Sequence, residues 1–326
     1  MSYSNEKAVA IDAVRRAVQL CQMVQADSIQ TSSLEKGDRS PVTVADFGAQ
    51  ALICQQLAEE FPHDPIVGEE NSGELKNPEA AHYLKQVTGY VQRFHPDADS
   101  AVVCEWIDRG GHDVADRFWA VDPIDGTKGF LRREQYAIAL ALIEDGQVRV
   151  GVLGCPAMPR NFEHPHQDIG MLFTAVHGEG ATMMGLKSST AMPIHVVAEG
   201  THVHLRFVQS VESAHGNAAL QQHIAKSVGI TQPALKIDSQ AKYGAVARGD
   251  AALYLRFPST RSPDYREKIW DHAAGVLIVE EAGGHVTDML GHPLDFTSDY
   301  RMVKNQGVVA SNGAIHEAVL RAVSEV

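Results

Sequence analysis

Two carboxylates three positions apart are the residues of this sequence best suited to chemistry. Asp122 and Asp125 lie in the segment Asp-Pro-Ile-Asp-Gly-Thr at 122–127, directly after the apolar run Phe118–Val121. A bend at the intervening proline can turn both carboxylates and the Ile124 carbonyl toward one point. Oxygen donors arranged in this way suit a hard divalent cation such as Mg²⁺.

The next two residues are suited to holding a phosphate. Gly126 allows close approach of the backbone, and Thr127 adds a hydroxyl where a helix could begin. Helix N-termini bind phosphate, so the segment predicts metal-assisted phosphoryl transfer. An ordinary Asp/Gly turn after a strand explains the same residues. Phosphatases with an aspartyl nucleophile carry carboxylates two positions apart, whereas the spacing of three favours metal ligands and a water nucleophile.

Further acidic residues stand where such a site would need them. Glu69 ends a short predicted strand after Gly68, and Asp46 stands where a predicted helix begins. Asp271 is expected to begin an alanine-rich helix. Acids on the first turn of a helix also simply complement the helix dipole, and Glu70 is expected to have no direct metal role.

Hydrophobic periodicity predicts an α/β protein. In the first half we predict helices over about 3–25, 46–60 and 78–92, and strands over 65–68, 117–122, 136–144, 147–154 and 170–176. In the second half we predict strands over 205–211, 235–238 and 251–256, and helices over 216–228, 240–248 and 270–283. Apart from its one helix, the stretch 71–113 is expected to be irregular. A boundary near 188–201 predicts an N-terminal α+β unit over 1–195 and a C-terminal α/β unit over 196–326.

Composition excludes several classes of protein. The chain has 326 residues, of which 44% are hydrophobic, as is typical of a soluble globular protein. Its net charge of −13 argues against a nonspecific nucleic-acid binder. The apolar runs are too short to span a bilayer, so we expect no membrane association. Four scattered cysteines predict reduced thiols and a cytoplasmic location.

Three motifs occur in order and at suitable intervals: Gly-Glu-Glu at 68–70, Asp-Pro-Ile-Asp-Gly-Thr at 122–127 and Trp-Asp-His-Ala-Ala-Gly at 270–275. Together they resemble the Mg²⁺-dependent, Li⁺-sensitive phosphatases of the inositol monophosphatase superfamily. This resemblance implies an αβαβα sandwich with the active site in the cleft between two units.

A closer resemblance, to the 3′(2′),5′-bisphosphate nucleotidase branch, extends over nearly the whole chain. The segments that carry it are Gly126–Arg132, Gln135–Ala137, Ser239–Tyr243, Tyr254–Arg256, Glu267–His272, Pro293–Phe296 and Gly307–Asn312. The sequence departs from the branch at Arg133, where glycine is common, and in the insert at 71–118. The first departure is expected to alter the rim of the site and the second to alter access to it.

The resemblance implies two to three Mg²⁺ ions. One ion would be held by Glu69, Asp122 and the Ile124 carbonyl, and a second by Asp122, Asp125 and Asp271. A third, weaker ion would share Glu69 through water molecules.

The resemblance also implies roles in catalysis and binding. Thr127, hydrogen-bonded to Asp46, would orient and deprotonate the attacking water, and the amides of Gly126 and Thr127 would hold the phosphate. The residues implied to bind the nucleotide are His215, Ser239, Lys242 and Arg256. The alternative interpretation of Arg256 is an interdomain salt bridge. The alternative interpretation of His215 is a histidine at the start of a helix.

The implied reaction is hydrolysis of 3′-phosphoadenosine 5′-phosphate to AMP and phosphate, with 3′-phosphoadenosine 5′-phosphosulfate as a second substrate. The expected partner is thus a small bisphosphate nucleotide, and no obligatory protein partner is evident. Two alternatives stay open: an inositol polyphosphate 1-phosphatase or inositol monophosphatase-like activity, and a non-catalytic phosphonucleotide sensor. A sensor would be expected to have lost a metal ligand or the Thr127–Asp46 pair, and the sequence retains all of them.

Overall fold

The structure, a computed structural model, describes residues 2–27, 33–35, 41–198, 205–211, 218–258 and 265–325. Its helices are α1 Ser4–Asp27, α2 Val44–Glu60, α3 Ala81–Val91, α4 Ser100–Asp108, α5 Thr127–Arg132, α6 Ala218–Ser227, α7 Ala241–Ala247, α8 Ala273–Glu281 and α9 His316–Ser324. Its strands are β1 Ser33–Glu35, β2 Pro41–Thr43, β3 Ile66–Gly68, β4 Gly110–Gly111, β5 Arg117–Asp125, β6 Ala137–Glu144, β7 Gln147–Pro159, β8 Ile169–Val176, β9 Gly180–Gly185, β10 Met192–Pro193, β11 Phe207–Gln209, β12 Leu235–Lys236, β13 Leu253–Arg256, β14 His285–Thr287 and β15 Val308–Ser311. Short 3₁₀ turns cover Pro78–Ala80 and Ile269–Asp271.

An eight-stranded sheet has the order β10-β9-β8-β7-β6-β5-β3-β4. Strand β3 runs parallel to β4 and β5, and the other neighbours are antiparallel. Alternate residues of a strand point to opposite faces, and in β6 both sets are buried: Ile138, Leu140 and Leu142 on one face, Ala137, Ala139 and Ala141 on the other. Both faces of this sheet are therefore covered.

Helices and a second sheet complete five layers. The Leu140 face of the large sheet packs on α1 and α2, and the Ala139 face packs on α7 and α8. Beyond α7 and α8 lies a sheet of order β12-β11-β13-β15-β14, whose outer side is covered by α6 and α9. This arrangement confirms the expected αβαβα sandwich.

Small residues allow α8 to lie close to the large sheet. A Cβ on Gly151 of β7 would lie 2.9 Å from the carbonyl oxygen of Ala274, and one on Gly275 would lie 2.3 Å from the Tyr243 ring. The alanine- and glycine-rich start of α8 is therefore explained by packing between a sheet and a neighbouring helix.

The insert is more regular than predicted. Residues 100–108 form the helix α4, which the expectation of an irregular stretch missed. Its signals were present in the sequence: Asp99 caps the helix by accepting from Val102 N–H at 2.9 Å, and Val103 and Ile107 are buried one turn apart. The insert also supplies β4, the edge strand beside β3.

The division at 195/196 stays a prediction. The large sheet ends at Pro193, and the small sheet begins at Phe207. All four cysteines are free and buried. No helix in the described ranges is long and apolar enough to cross a bilayer.

Candidate metal and active site

A β-bulge brings the two central carboxylates to one face of the sheet. Asp122 pairs with Ala139 and Asp125 with Ala137, so three residue steps on β5 oppose two on β6. Without the extra residue, positions three apart would point to opposite faces. Both alanines face α7 and α8, and the aspartates therefore face the same side. The bulge contains Pro123, which has no N–H to give to the ladder.

Glu69 stands beside Asp122 because β3 and β5 are parallel. Their register pairs Gly68 with Val121, so the next residue of each strand is an acid at the same edge of the sheet. Glu69 and Asp125 are half-buried, whereas Asp122 is buried. These three acids thus form a cluster in which Asp122 is enclosed by the protein and Glu69 and Asp125 remain partly accessible to solvent.

Gly126 and Thr127, which were predicted to hold a phosphate, lie where a helix begins, as the sequence predicted. Gly126 has φ 87° and ψ 45°, a left-handed conformation that favours glycine, and α5 begins at Thr127. A Cβ on Gly126 would also lie 3.0 Å from the Cβ of Ser239. The hydroxyl of Thr127 lies 3.5 Å from the Ile124 carbonyl oxygen. Its hydrogen bond to Asp46 stays a prediction.

Asp271 comes from the other half of the chain. It does not begin α8, as expected, but ends the 3₁₀ turn Ile269–Asp271, and α8 begins at Ala273. The Lys268 N–H lies 3.4 Å from Asp271 Oδ2. The carboxylate is therefore carried by the turn that precedes α8.

The charges of the neighbouring acids all act on the carboxyl group of Asp122. Burial raises the pKa of Asp122 well above its ordinary value, and four carboxylates raise it further: Glu69, Asp125, Asp271 and Asp46. Burial also raises the pKa of Asp271 to about 7, against the opposing effect of Arg256 and His272. The four other predicted carboxylates therefore all lie close enough to Asp122 to raise its pKa. Asp46 does so from a buried position on the first turn of α2.

Two buried glutamines that the sequence did not reveal hold this cluster in place. Gln50, one turn after Asp46 on α2, accepts from Glu70 N–H at 2.9 Å and donates to the Glu70 carbonyl at 2.6 Å. A Cβ on Gly68 would lie 2.8 Å from Gln50 Oε1. Gln240, at the start of α7, donates its main-chain N–H to Asp125 at 2.6 Å. In the sequence, the signal that could have revealed these residues was a glutamine among the apolar residues of a predicted helix.

Two of the predicted nucleotide-binding residues are buried, and one lies outside the described residues. Ser239 and Lys242 are buried at the start of α7, and His215 lies outside the described residues. The Lys242 ammonium lies 5.2 Å from the centre of the Tyr254 ring. Burial lowers the pKa of Lys242 to about 8, although Asp125 acts to raise it.

Arg256 forms the salt bridge that was the other interpretation of this residue. Its Nε lies 2.7 Å from Glu267 Oε2. Glu267 also lies 3.4 Å from Nε2 of His272, whose Nδ1 is 2.7 Å from the Tyr243 hydroxyl. Ligand atoms of Glu267, Asp271 and His272 fall within 4.8 Å of one another. Because Glu267 and His272 are occupied by these contacts, we regard them as support for Asp271.

Comparison with known proteins agrees with this geometry. The family model for the inositol monophosphatase family matches residues 3–326. A 3′(2′),5′-bisphosphate nucleotidase of Oryza sativa is 41% identical over 99% of this chain and 94% of its own. The protein of that name in Schizosaccharomyces pombe is 41% identical over 100% of this chain and 97% of its own.

Solved structures share the fold at low identity. The Thermotoga maritima IMPase has a TM-score of 0.67 at 22% identity, covering 98% of this chain and 97% of its own. CysQ from Bacteroides thetaiotaomicron, a bacterial member of the inositol monophosphatase family, has a TM-score of 0.63 at 23% identity, covering 95% and 97%.

Proposed function

The chain belongs to the inositol monophosphatase family and, within it, to the 3′(2′),5′-bisphosphate nucleotidases, and from this premise we propose that it hydrolyses the 3′-phosphate of 3′-phosphoadenosine 5′-phosphate. The products are AMP and inorganic phosphate. We propose 3′-phosphoadenosine 5′-phosphosulfate as a second substrate, because it carries the same 3′-phosphate. The cofactor is Mg²⁺.

One observation supports this proposal above the others: carboxylates from separate elements converge on Asp122, and its Oδ1 is buried with no hydrogen-bond partner in the described ranges. Uncompensated buried charge is costly, so this donor set fits a divalent cation. Glu69, Asp122 and the Ile124 carbonyl would hold one ion, and Asp122, Asp125 and Asp271 a second. When bound, the ions would supply Lewis acidity to the phosphate and to the attacking water.

Thr127 and Asp46 are proposed to handle the proton of the attacking water. The water oxygen bonds to phosphorus, and the bond from phosphorus to the 3′ oxygen breaks. The Thr127 hydroxyl orients the water and passes its proton to the Asp46 carboxylate, and the 3′ oxygen takes a proton from solvent. The amides of Gly126 and Thr127 at the start of α5 hold the phosphate oxygens.

Charged residues of the second half are proposed to recognise the phosphate that is not cleaved. Lys242 presents an ammonium group from a buried position, and an approaching phosphate would favour its charged form. Glu267 holds the guanidinium of Arg256 through Nε. A fixed guanidinium suits a phosphate because it donates hydrogen bonds in a planar fork.

Phosphate release from a substrate panel tests the proposal. The panel comprises 3′-phosphoadenosine 5′-phosphate, its 2′-phosphate isomer, the phosphosulfate analogue, inositol 1-phosphate and inositol 1,4-bisphosphate, each with Mg²⁺ and with EDTA. We expect the adenosine bisphosphates to give the highest kcat/KM and EDTA to abolish turnover. A preference for inositol 1,4-bisphosphate would instead identify an inositol polyphosphate phosphatase, and nucleotide binding without release would identify a sensor.

A further inference from the structure

Gln240 contacts both halves of the acidic cluster. Its main-chain N–H donates to Asp125 Oδ2 at 2.6 Å, and its side-chain Nε2 donates to the Trp270 carbonyl at 2.9 Å. That carbonyl can only accept, so the amide must present its NH₂ group there. Trp270 directly precedes Asp271. A single residue therefore ties the end of β5 to the turn that carries the acid from the second half.

Ser239, directly before Gln240, has an unfavourable backbone conformation next to the contact with Asp125. Ser239 has φ 67°, a left-handed conformation that is uncommon outside glycine. Such conformations persist only where the surrounding structure enforces them, and they cluster at functional sites. The N–H of Gln240, which has no intrahelical acceptor at the start of α7, is directed at Asp125.

Asp238 anchors the same segment on its other side. Its Oδ2 lies 2.5 Å from Nη2 of Arg132, at the end of α5, and its Oδ1 accepts from Val211 N–H at 3.0 Å. The Asp238 side chain is 9% exposed and that of Arg132 is 33% exposed, so the carboxylate is buried while the guanidinium reaches solvent. Residues 238–240, which we name the clasp, thus contact α5, β5, the end of β11 and the Asp271 turn.

We propose that the clasp fixes the metal centre across the two halves of the chain and that Gln240 is the positioning residue that sets the separation of Asp125 and Asp271. This inference rests on the proposed function, because it assumes that those carboxylates hold a divalent cation. Gln240 does not bind the ion itself. It takes up one lone pair of Asp125 with a charge-assisted hydrogen bond and restrains the main chain at Asp271.

Direct metal binding tests the role of Gln240. Gln240→Leu keeps the side-chain volume and the main-chain N–H but removes the donor to Trp270. We expect Mg²⁺ affinity, measured by titration calorimetry without substrate, to fall about tenfold, as is usual when a group supporting a metal ligand is lost. The Mg²⁺ concentration that gives half-maximal phosphate release from 3′-phosphoadenosine 5′-phosphate should rise by a similar factor.

Gln221→Leu is the matched control. Gln221 is 4% exposed on α6 and donates Nε2 to the Leu255 carbonyl at 3.3 Å. Its loss should lower the melting temperature without changing Mg²⁺ affinity. If Gln240→Leu does not fold, Gln240→Met, which is unbranched and of similar length, takes its place in the same titration.

The outcomes separate the two proposals. Wild-type affinity in the Gln240 variant, or an equal loss in the Gln221 variant, would overturn the role of the clasp and leave the proposed function intact. Absence of Mg²⁺ binding by the wild-type protein would overturn both. A selective loss of affinity in the Gln240 variant supports the clasp.

Discussion

Replacing Arg256 by alanine should remove the proposed phosphate contact and leave the Glu267 carboxylate with its 3.4 Å contact to His272. Arg256 Nε and Glu267 Oε2 are 2.7 Å apart, and the two side chains are 26% and 10% exposed. Burial acts to raise the pKa of Glu267, but Arg256 and His272 outweigh it and hold that pKa well below its usual range. The guanidinium therefore has a structural role beside its proposed role in binding.

The two roles differ in magnitude and in substrate dependence. A hydrogen bond to a charged group contributes about 1.5–3 kcal/mol, so losing the 5′-phosphate contact should lower kcat/KM for 3′-phosphoadenosine 5′-phosphate by roughly ten- to a hundredfold. Breaking a fully buried ion pair costs roughly 3–5 kcal/mol of stability. Because Arg256 is about a quarter exposed, we expect about 1–2 kcal/mol for this pair.

Steady-state kinetics on two substrates separates these effects. Adenosine 3′-monophosphate lacks the remote phosphate, so Arg256→Ala should affect it much less than the bisphosphate. The double variant Arg256→Ala/Glu267→Gln also removes the carboxylate that has lost its arginine, and it should recover stability while keeping the selective loss on the bisphosphate. Equal losses of kcat/KM on both substrates would show that Arg256 supports the cleft and does not bind the 5′-phosphate.

Three further predictions concern the proton relay, lithium and pH. Thr127→Ala and Asp46→Asn should each lower kcat severely, with the double variant little worse than either; additive losses in the double-mutant cycle would contradict a shared role. LiCl should inhibit more than NaCl or KCl at matched ionic strength, and equal effects would indicate general screening. Burial and the nearby His285 lower the pKa of His316 to about 4, so the folded protein favours the neutral imidazole. The free energy of unfolding should therefore be highest above pH 6.5 and should fall by about 3 kcal/mol at most as the pH drops toward 4. Denaturant unfolding of His316→Gln should show a weaker loss of stability over that range than the wild type, and identical pH profiles would refute the assignment.

The acids could be predicted from sequence because carboxylates near glycine and proline are conspicuous. A bend at Pro123 that turns both carboxylates toward one point was also predicted, but its form, a β-bulge, was not. A spacing of three places Asp122 and Asp125 on opposite faces of a regular strand, and only the bulge at Pro123 reverses this. The partnership with Asp271 followed from the family resemblance, since no local pattern connects residues so far apart in the chain.

The supporting residues escaped prediction for a different physical reason. Gln50 and Gln240 carry no charge, and their side-chain amides bond to the main chain of Glu70 and Trp270. The contact of Gln240 with Asp125 uses its own main-chain N–H, which any residue but proline would supply. A buried glutamine in a helix looks like any polar residue until its partners are known. The salt bridge of Arg256 was foreseen only as an alternative, because the identity of its partner depends on how β13 lies against Glu267.

The most direct test of the metal centre is a Mg²⁺ titration of phosphate release from 3′-phosphoadenosine 5′-phosphate by the wild type and by Asp122→Asn. Asp122 belongs to both proposed ion shells, and metal stabilisation of charge contributes several kcal/mol. The wild type should depend on Mg²⁺, and the folded variant should lose roughly three orders of magnitude in kcat even at saturating Mg²⁺. Near-normal kcat in the folded variant, or full wild-type turnover in EDTA, would contradict the assignment.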